Sequence, residues 1–359
     1  MALTRILNEP GDRQEEDAAV VSTCAALEKA MIHSKEIDLG LVEPPVQVER
    51  WTLSEPSLRL LIALVKYLRP KHILEFGSGL STRVLSWALK QADVDCWISS
   101  IDHDPQFGLA SSNALHGGED QGRIKIIQAP LVVRSFGGDL YPAYHFDRTH
   151  LASAEPADLI LADGPPDLLG GRAGTLFQAM DYARPGTLFL LDDANRKTER
   201  AALNLWRDVL DNAIEPVNLK TPDERMQAIV IRRPVSPTEL ANHNTGLTAS
   251  ELRDSIAFES TFILVDDNQW IDQPFIRERR PIPFMEHKGQ YWGAAANDSE
   301  AIACLERLRE AGADYIVIAQ PAFWWLEHYR EFADHLKRRY PLLLQNRRLI
   351  VHRLQAKAS

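Results

Sequence analysis

Two groups of residues in this chain have the types and spacing for chemistry. The first is Glu75-Phe-Gly77-Ser78-Gly79, set between an apolar run at 72–76 and a helical pattern at 81–91. Glycines let a backbone turn sharply and approach a ligand with no Cβ in the way. Thr82 stands where a dinucleotide fingerprint needs its third glycine, and the Gly-Lys-Ser/Thr of a Walker loop is absent. Glu75 precedes the glycines instead. A carboxylate there repels a pyrophosphate and suits a cationic ligand, an ammonium or a sulfonium. Asp102 ends the next apolar run, where an acid accepts hydrogen bonds from ribose hydroxyls. Asp102-His-Asp-Pro105 would also serve simply as a helix-capping turn.

The second group is Asp163, at the end of Asp158-Leu-Ile-Leu-Ala-Asp163, together with Asp192-Asp193 at the end of Thr187-Leu-Phe-Leu-Leu-Asp192. If these runs are adjacent strands, three carboxylates converge, and they repel one another unless something positive sits between them. A hard divalent cation would serve, with Mg²⁺ the default for carboxylate and water ligands. An alcohol is a poor nucleophile until its proton is removed. A metal lowers the hydroxyl pKa and a carboxylate, Asp163 or Asp193, can take the proton. Without a metal, Asp163 contacts the substrate or the cationic ligand directly and Asp192 caps the following helix. His103 is an alternative base, since a histidine titrates near working pH, or a pocket wall. His145 and His150 lie in an irregular stretch at 131–157 that could cover an acceptor site.

The elements that must hold these groups follow from periodicity. Short, continuously apolar strands at 72–76, 96–101, 124–128, 158–161, 187–191 and 226–232 alternate with helices at 81–91, 174–183 and 198–209. That pattern predicts a parallel sheet covered on both faces, with its ligand at the carboxyl ends of the strands. A helix at 18–33 and another opened by Ser54 and Pro56 precede it. The stretch 233–250, with Pro234, Pro237, Asn242, Asn244 and Gly246, reads as a linker. Beyond it, 261–265, 299–311, 315–318, 321–340 and 349–354 read as β-α-β-α-β. Phe323-Trp-Trp-Leu-Glu-His-Tyr329 reads as core, with a sugar-stacking surface as the alternative. Arg277, Arg279 and Arg280 form a basic patch or a solvated loop.

The 359 residues suggest two domains. The net charge of −10 argues against a nucleic-acid binder, which needs a basic field. Cys24, Cys96 and Cys304 are too few for a disulfide framework, and read as reduced thiols. No basic start with an apolar stretch opens the chain and no window is apolar enough to span a membrane, so the expectation is a cytoplasmic protein.

Glu75-Phe-Gly-Ser-Gly79 followed by Ile101-Asp102 resembles the class I S-adenosylmethionine (SAM)-dependent methyltransferases, over about Trp51 to Pro234. The resemblance implies a doubly wound, Rossmann-like α/β fold with a seven-stranded sheet. It implies that Glu75, Gly77, Ser78 and Gly79 lie against the methionine half of SAM, Asp102 against the ribose, and Gln128 by the adenine. Asp163 with Asp192-Asp193 resembles the macrocin O-methyltransferase group, which methylates sugar hydroxyls and binds Mg²⁺. That makes Asp163, Asp192 and Asp193 metal-ligand candidates. Gly164-Pro-Pro166 departs from that group's usual continuation. The C-terminal part resembles a small α/β domain appended to bacterial glycosyltransferases. The expected organisation is an extension at 1–50, a methyltransferase domain at 51–234, a linker at 235–254 and an accessory domain at 255–359. The expected function is O-methylation of a sugar or glycan acceptor, with homo-oligomerisation left open. The alternatives are an NAD-dependent sugar-nucleotide oxidoreductase and a non-catalytic glycan-assembly module.

Overall fold

A computed structural model describes residues 10–49, 51–106, 108, 123–219, 221–277 and 279–355. Two compact units divide the chain, Met1–Asn242 and His243–Ser359. In the first, helices α1 (Pro10–His33) and α2 (Glu55–Leu68) precede β1 (His72–Phe76), α3 (Leu80–Gln91), β2 (Trp97–Asp102) and β3 (Ile124–Gln128). A ribbon of β4 (Leu131–Phe136) and β5 (Asp139–Tyr144) follows. Then come β6 (Leu159–Ala162), α4 (Thr175–Ala179), β7 (Leu188–Leu191), α5 (Lys197–Leu210), β8 (Ile214–Val217) and β9 (Gln227–Ile231).

Seven strands form one sheet in the order β3-β2-β1-β6-β7-β9-β8. It is parallel from β3 to β7, and β9 runs antiparallel to both β7 and β8. Alternate strand residues enter opposite cores, as the two-residue period of a strand requires. Ile73, Ile98, Leu161 and Leu190 pack against Leu27 of α1, Leu61 of α2 and Leu85 of α3. Leu74, Ile101, Ile160 and Phe189 pack against Leu176 of α4 and Trp206 of α5. The strand order reverses between β1 and β6, so their carboxyl ends frame the crevice where such sheets bind ligands. Gly77 and Asp163 sit at those two ends.

Two expectations are corrected. The stretch expected to be irregular begins as the β4–β5 ribbon, its turn made by Gly137 and Gly138 at φ of 64° and 97°. A Gly-Gly pair between alternating segments is the signature of a two-residue hairpin. The stretch expected to be a linker forms helix α6 (Pro237–Ser255), within which the boundary between the units falls. Its proline occupies the first turn, where the missing N–H costs nothing.

The second unit holds a five-stranded sheet in the order β11-β10-β14-β16-β15. These are β10 (Thr261–Val265), β11 (Arg280–Pro283), β14 (Tyr315–Ala319), β15 (Leu342–Gln345) and β16 (Leu349–Arg353), and a small ribbon of β12 (Glu286–His287) and β13 (Gln290–Tyr291) lies between β11 and β14 in sequence. One face packs on α6 and α7 (Pro274–Arg277) through Leu252 and Ile276. The other packs on α8 (Asp298–Glu310), α9 (Trp324–His328) and α10 (Arg330–Arg339) through Leu305, Trp325 and Phe332. Of the aromatic run, Trp325 and Tyr329 are therefore core, whereas Trp324 is exposed. Trp324 and Trp325 both donate their indole N–H to Asp267, at 2.6 and 3.0 Å. Arg279 donates to the carbonyl of Ile256, while the side chain of Arg277 lies outside the described residues. No helix among the described residues is long and apolar enough to cross a membrane.

Candidate functional site

The glycine loop is held from below and left open above. Gly77 takes φ of +100°, a left-handed conformation that favours glycine, and its N–H donates to the carbonyl of Ile101 at 2.7 Å. Asp102, buried at the end of β2, accepts from the Ser78 N–H at 2.7 Å and the Ser78 hydroxyl at 2.9 Å. Its other oxygen accepts from the Asp104 N–H at 2.9 Å. The acid expected at the ribose thus also anchors the loop. At Gly79 a Cβ would meet nothing within 4 Å, so the surface in front of it is open. Gln128 pairs in register with Asp102 and is exposed. Among the described residues this is a cradle that fits a nucleoside-bearing ligand: glycine backbone, a serine, and an acid on the neighbouring strand.

Glu75 is not part of that surface, which corrects the expectation that it meets a cationic ligand. Its side chain is fully buried beneath the loop and accepts from the hydroxyls of Ser81, Thr82 and Ser100. Thr82 therefore has its own reason to replace a third glycine, since it satisfies Glu75 and also accepts from the Gly79 N–H at 3.2 Å. Burial pushes the Glu75 carboxyl from 4.5 up to about 7, against the lowering effect of the three hydroxyls. Between those values the folded chain keeps a proton that the unfolded chain releases, so this group's contribution to stability falls as pH rises through the window. Relative to Glu75→Gln, the wild type is expected to lose roughly 1–3 kcal/mol between about pH 5 and about pH 8. Urea unfolding of both proteins at the two pH values measures this, and parallel pH curves would contradict it.

The second group does converge. One oxygen from each of Asp163, Asp192 and Asp193 lies within 4.8 Å of the others. What sits between them is Arg172, 4% exposed at its side chain. Its Nη2 lies 2.9 Å from Asp163 Oδ1 and 3.1 Å from Asp193 Oδ2. The same nitrogen donates to the Asp163 carbonyl at 2.8 Å, and Nη1 donates to the Asp192 carbonyl at 2.6 Å. Arg225 adds contacts of 3.2 Å to Asp192 and 2.7 Å to Asp193. Arg196 reaches Asp193 at 2.9 Å. The positive charge that the three acids require is thus supplied by the chain. The donor set does not fit Mg²⁺, because at least one carboxylate oxygen of each acid already accepts from a guanidinium group.

The three acids differ in access. The side chain of Asp163 keeps 19% of its surface, against 6% for Asp193 and 1% for Asp192. Burial raises the Asp163 carboxyl well above the usual range, with Arg172 opposing and the two neighbouring acids adding to the rise. The Asp192 carboxyl rises to about 6, first through burial and then through Asp193. Asp163 is therefore the most accessible of the three acids. His103 lies beside the other half, its Nδ1 at 3.5 Å from Asp102 Oδ1.

Sequence reasoning missed Arg172, Arg225 and Tyr144. Tyr144, at the end of β5, stacks on Phe76 with ring centroids 5.5 Å apart. Its buried hydroxyl lacks a hydrogen-bond partner among the described residues, and burial together with Asp102 and Asp163 raises its pKa. The available signal for the arginines was the demand for countercharge itself. A cavity of about 1080 Å³ lies elsewhere, along α1, α2 and β8, and contains none of these acids.

No protein-family model matches the chain, and no curated protein matches it. Among solved structures, the chain is similar to an O-methyltransferase from Bacillus cereus in complex with SAH, at 15% identity over 57% of this chain and 90% of that one, with a TM-score of 0.38. It is similar to an SAH-bound methyltransferase from Podospora anserina at 17% identity, over 64% of this chain and 99% of that one, with a TM-score of 0.38. The O-methyltransferase TomG from Streptomyces achromogenes, in complex with SAM, is similar at 16% identity, over 57% of this chain and 89% of that one, with a TM-score of 0.35.

Proposed function

We propose that the first unit is a SAM-dependent O-methyltransferase acting on a sugar hydroxyl. The observation that carries this is the contact between the two halves of the site. A Cβ on Gly77 would lie 3.2 Å from the carbonyl carbon of Asp163, so the glycine loop and the accessible acid touch at the switch point of the sheet. A ligand on the loop and an acceptor at Asp163 are then neighbours. SAM would supply an electrophilic methyl group on a sulfonium whose departure needs no proton. The chain's part is to hold the acceptor in line and to take its hydroxyl proton. Positioning of this kind contributes roughly 7–11 kcal/mol. Arg172 binds Asp163 Oδ1, and Oδ2 is the oxygen left to receive the proton.

The sheet speaks against the oxidoreductase alternative. Dinucleotide-binding sheets run parallel in the order 3-2-1-4-5-6, whereas here the antiparallel β9 occupies the place beside β7. An accessible carboxyl with a raised pKa at the switch point supports a catalytic site over a non-catalytic module. The sugar acceptor rests on the resemblance of the Asp163 and Asp192-Asp193 pattern to sugar methyltransferases, and on the accessory character of the second unit.

Calorimetry with SAM and with NAD tests the reading. SAM is expected to bind and NAD not. Asp102→Ala is expected to weaken SAM by about 1.5–3 kcal/mol, the loss of a charged hydrogen bond, or about 10- to 150-fold. Unchanged affinity would remove Asp102 from the ribose; absent SAM binding would remove the proposal.

A further inference from the structure

We infer that Arg172 is a built-in cation that takes the place of a divalent ion among Asp163, Asp192 and Asp193, and that the site takes no divalent metal while Arg172 is present. The inference concerns these side chains alone and stands whether or not the chain transfers methyl groups. Three carboxylates face three guanidinium groups, Arg172, Arg196 and Arg225, so each acid already has a cationic partner. Nη2 of Arg172 lies between Asp163 and Asp193, at 2.9 and 3.1 Å from their oxygens. A small divalent ion binds carboxylate oxygens at about 2.1 Å and needs most of its shell as oxygen. An ion bridging the same two acids would have to displace a guanidinium that stays protonated at any working pH.

Displacement is opposed from two further directions. Arg172 also donates to the carbonyls of Asp163 and Asp192, tying the carboxyl ends of β6 and β7 to one side chain. Its position is set by the backbone, because Gly170 and Gly171 turn the chain through φ of +100° and +69° just before it. Among the described residues, Asp192 Oδ1 is buried and without a hydrogen-bond partner. An ion admitted after removal of the guanidinium would therefore find Asp192 Oδ1 unpaired and Asp163 Oδ1 released, while Asp193 Oδ2 keeps its contact with Arg196.

The test is a titration of the full chain with Mn²⁺, read by the electron paramagnetic resonance of the free ion. The wild type is expected to bind no Mn²⁺ at millimolar concentration. Arg172→Gln, checked for fold by circular dichroism, is expected to bind one ion per chain with a Kd at least tenfold below the highest Mn²⁺ concentration at which the wild type binds none. Arg225→Gln, which removes a less buried guanidinium, is expected to give a smaller gain. One tightly bound Mn²⁺ in the wild type, lost in Asp193→Asn, overturns the inference. So does a folded Arg172→Gln protein with no gain. If Arg172→Gln does not fold, the wild-type titration decides alone. Neither arm reads SAM binding or turnover, so failure here is separable from failure of the proposed reaction.

Discussion

Asp163→Asn is expected to lower kcat by about 10²- to 10⁴-fold, the range for removing a general base, while SAM affinity stays nearly constant. The asparagine oxygen still accepts from Arg172, which holds Oδ1 at 2.9 Å, so the strand ends and the glycine loop keep their geometry. What disappears is the capacity to take a proton, which in the wild type is favoured by a pKa raised through burial. The acceptor is first found by following transfer of a labelled methyl group from SAM to candidate glycosides. Single-turnover rates and calorimetric affinities of the two proteins then separate chemistry from binding. Equal falls in rate and in SAM affinity would make Asp163 a binding residue. A normal rate in Asp163→Asn with a collapsed rate in His103→Asn would move the base to the Asp102 side of the cleft.

Arg172→Ala is expected to destabilise the fold by about 3–5 kcal/mol near neutral pH, because breaking a buried pair leaves its partner's charge uncompensated. The partners here are Asp163 and Asp193, and two main-chain carbonyls lose their donor as well. Without the guanidinium, the folded-state pKa values of the acids rise further above the unfolded ones. The cost is then largest where the unfolded carboxylates are ionised and shrinks as the solution is acidified below them. Urea unfolding near neutral pH and near pH 4 measures both features. A loss below about 1 kcal/mol, the scale of an exposed pair, would show that the cluster is hydrated and loosely held. Arg172→Lys keeps the charge but not the fork, and is expected to recover only part of the loss.

Glu75 shows how far a local reading reaches. Its type and place before the glycines suggested a surface that greets a cation. In the fold, Ser81, Thr82 and Ser100 turn their hydroxyls onto it and close it off. Residue spacing cannot show on which side of a turn a side chain falls, and a strand end allows either. Asp102 was placed correctly at the end of β2, but its hydrogen bonds to Ser78 add an anchoring role that only three-dimensional neighbours reveal. The β4–β5 ribbon has a legible turn in Gly137-Gly138, but its strands lie outside the main sheet and are mostly only partly buried, so they lack the continuous apolar runs of the central strands.

The expected parallel course of the strand at 226–232 is corrected, since β9 runs antiparallel to β7 and β8. From the order of residues alone came the alternation of apolar strands and helices, the parallel strands β3 to β7 buried on both faces, and the place of Gly77, Asp102 and Asp163 at their carboxyl ends. These follow from local periodicity and from the few ways in which strands and helices can be layered. Tertiary structure alone decided what stands among the three acids. A buried negative cluster demands a positive partner, and that demand was readable. Whether an ion or an arginine meets it depends on which distant loop reaches the gap, and Gly170-Gly171 deliver Arg172 there.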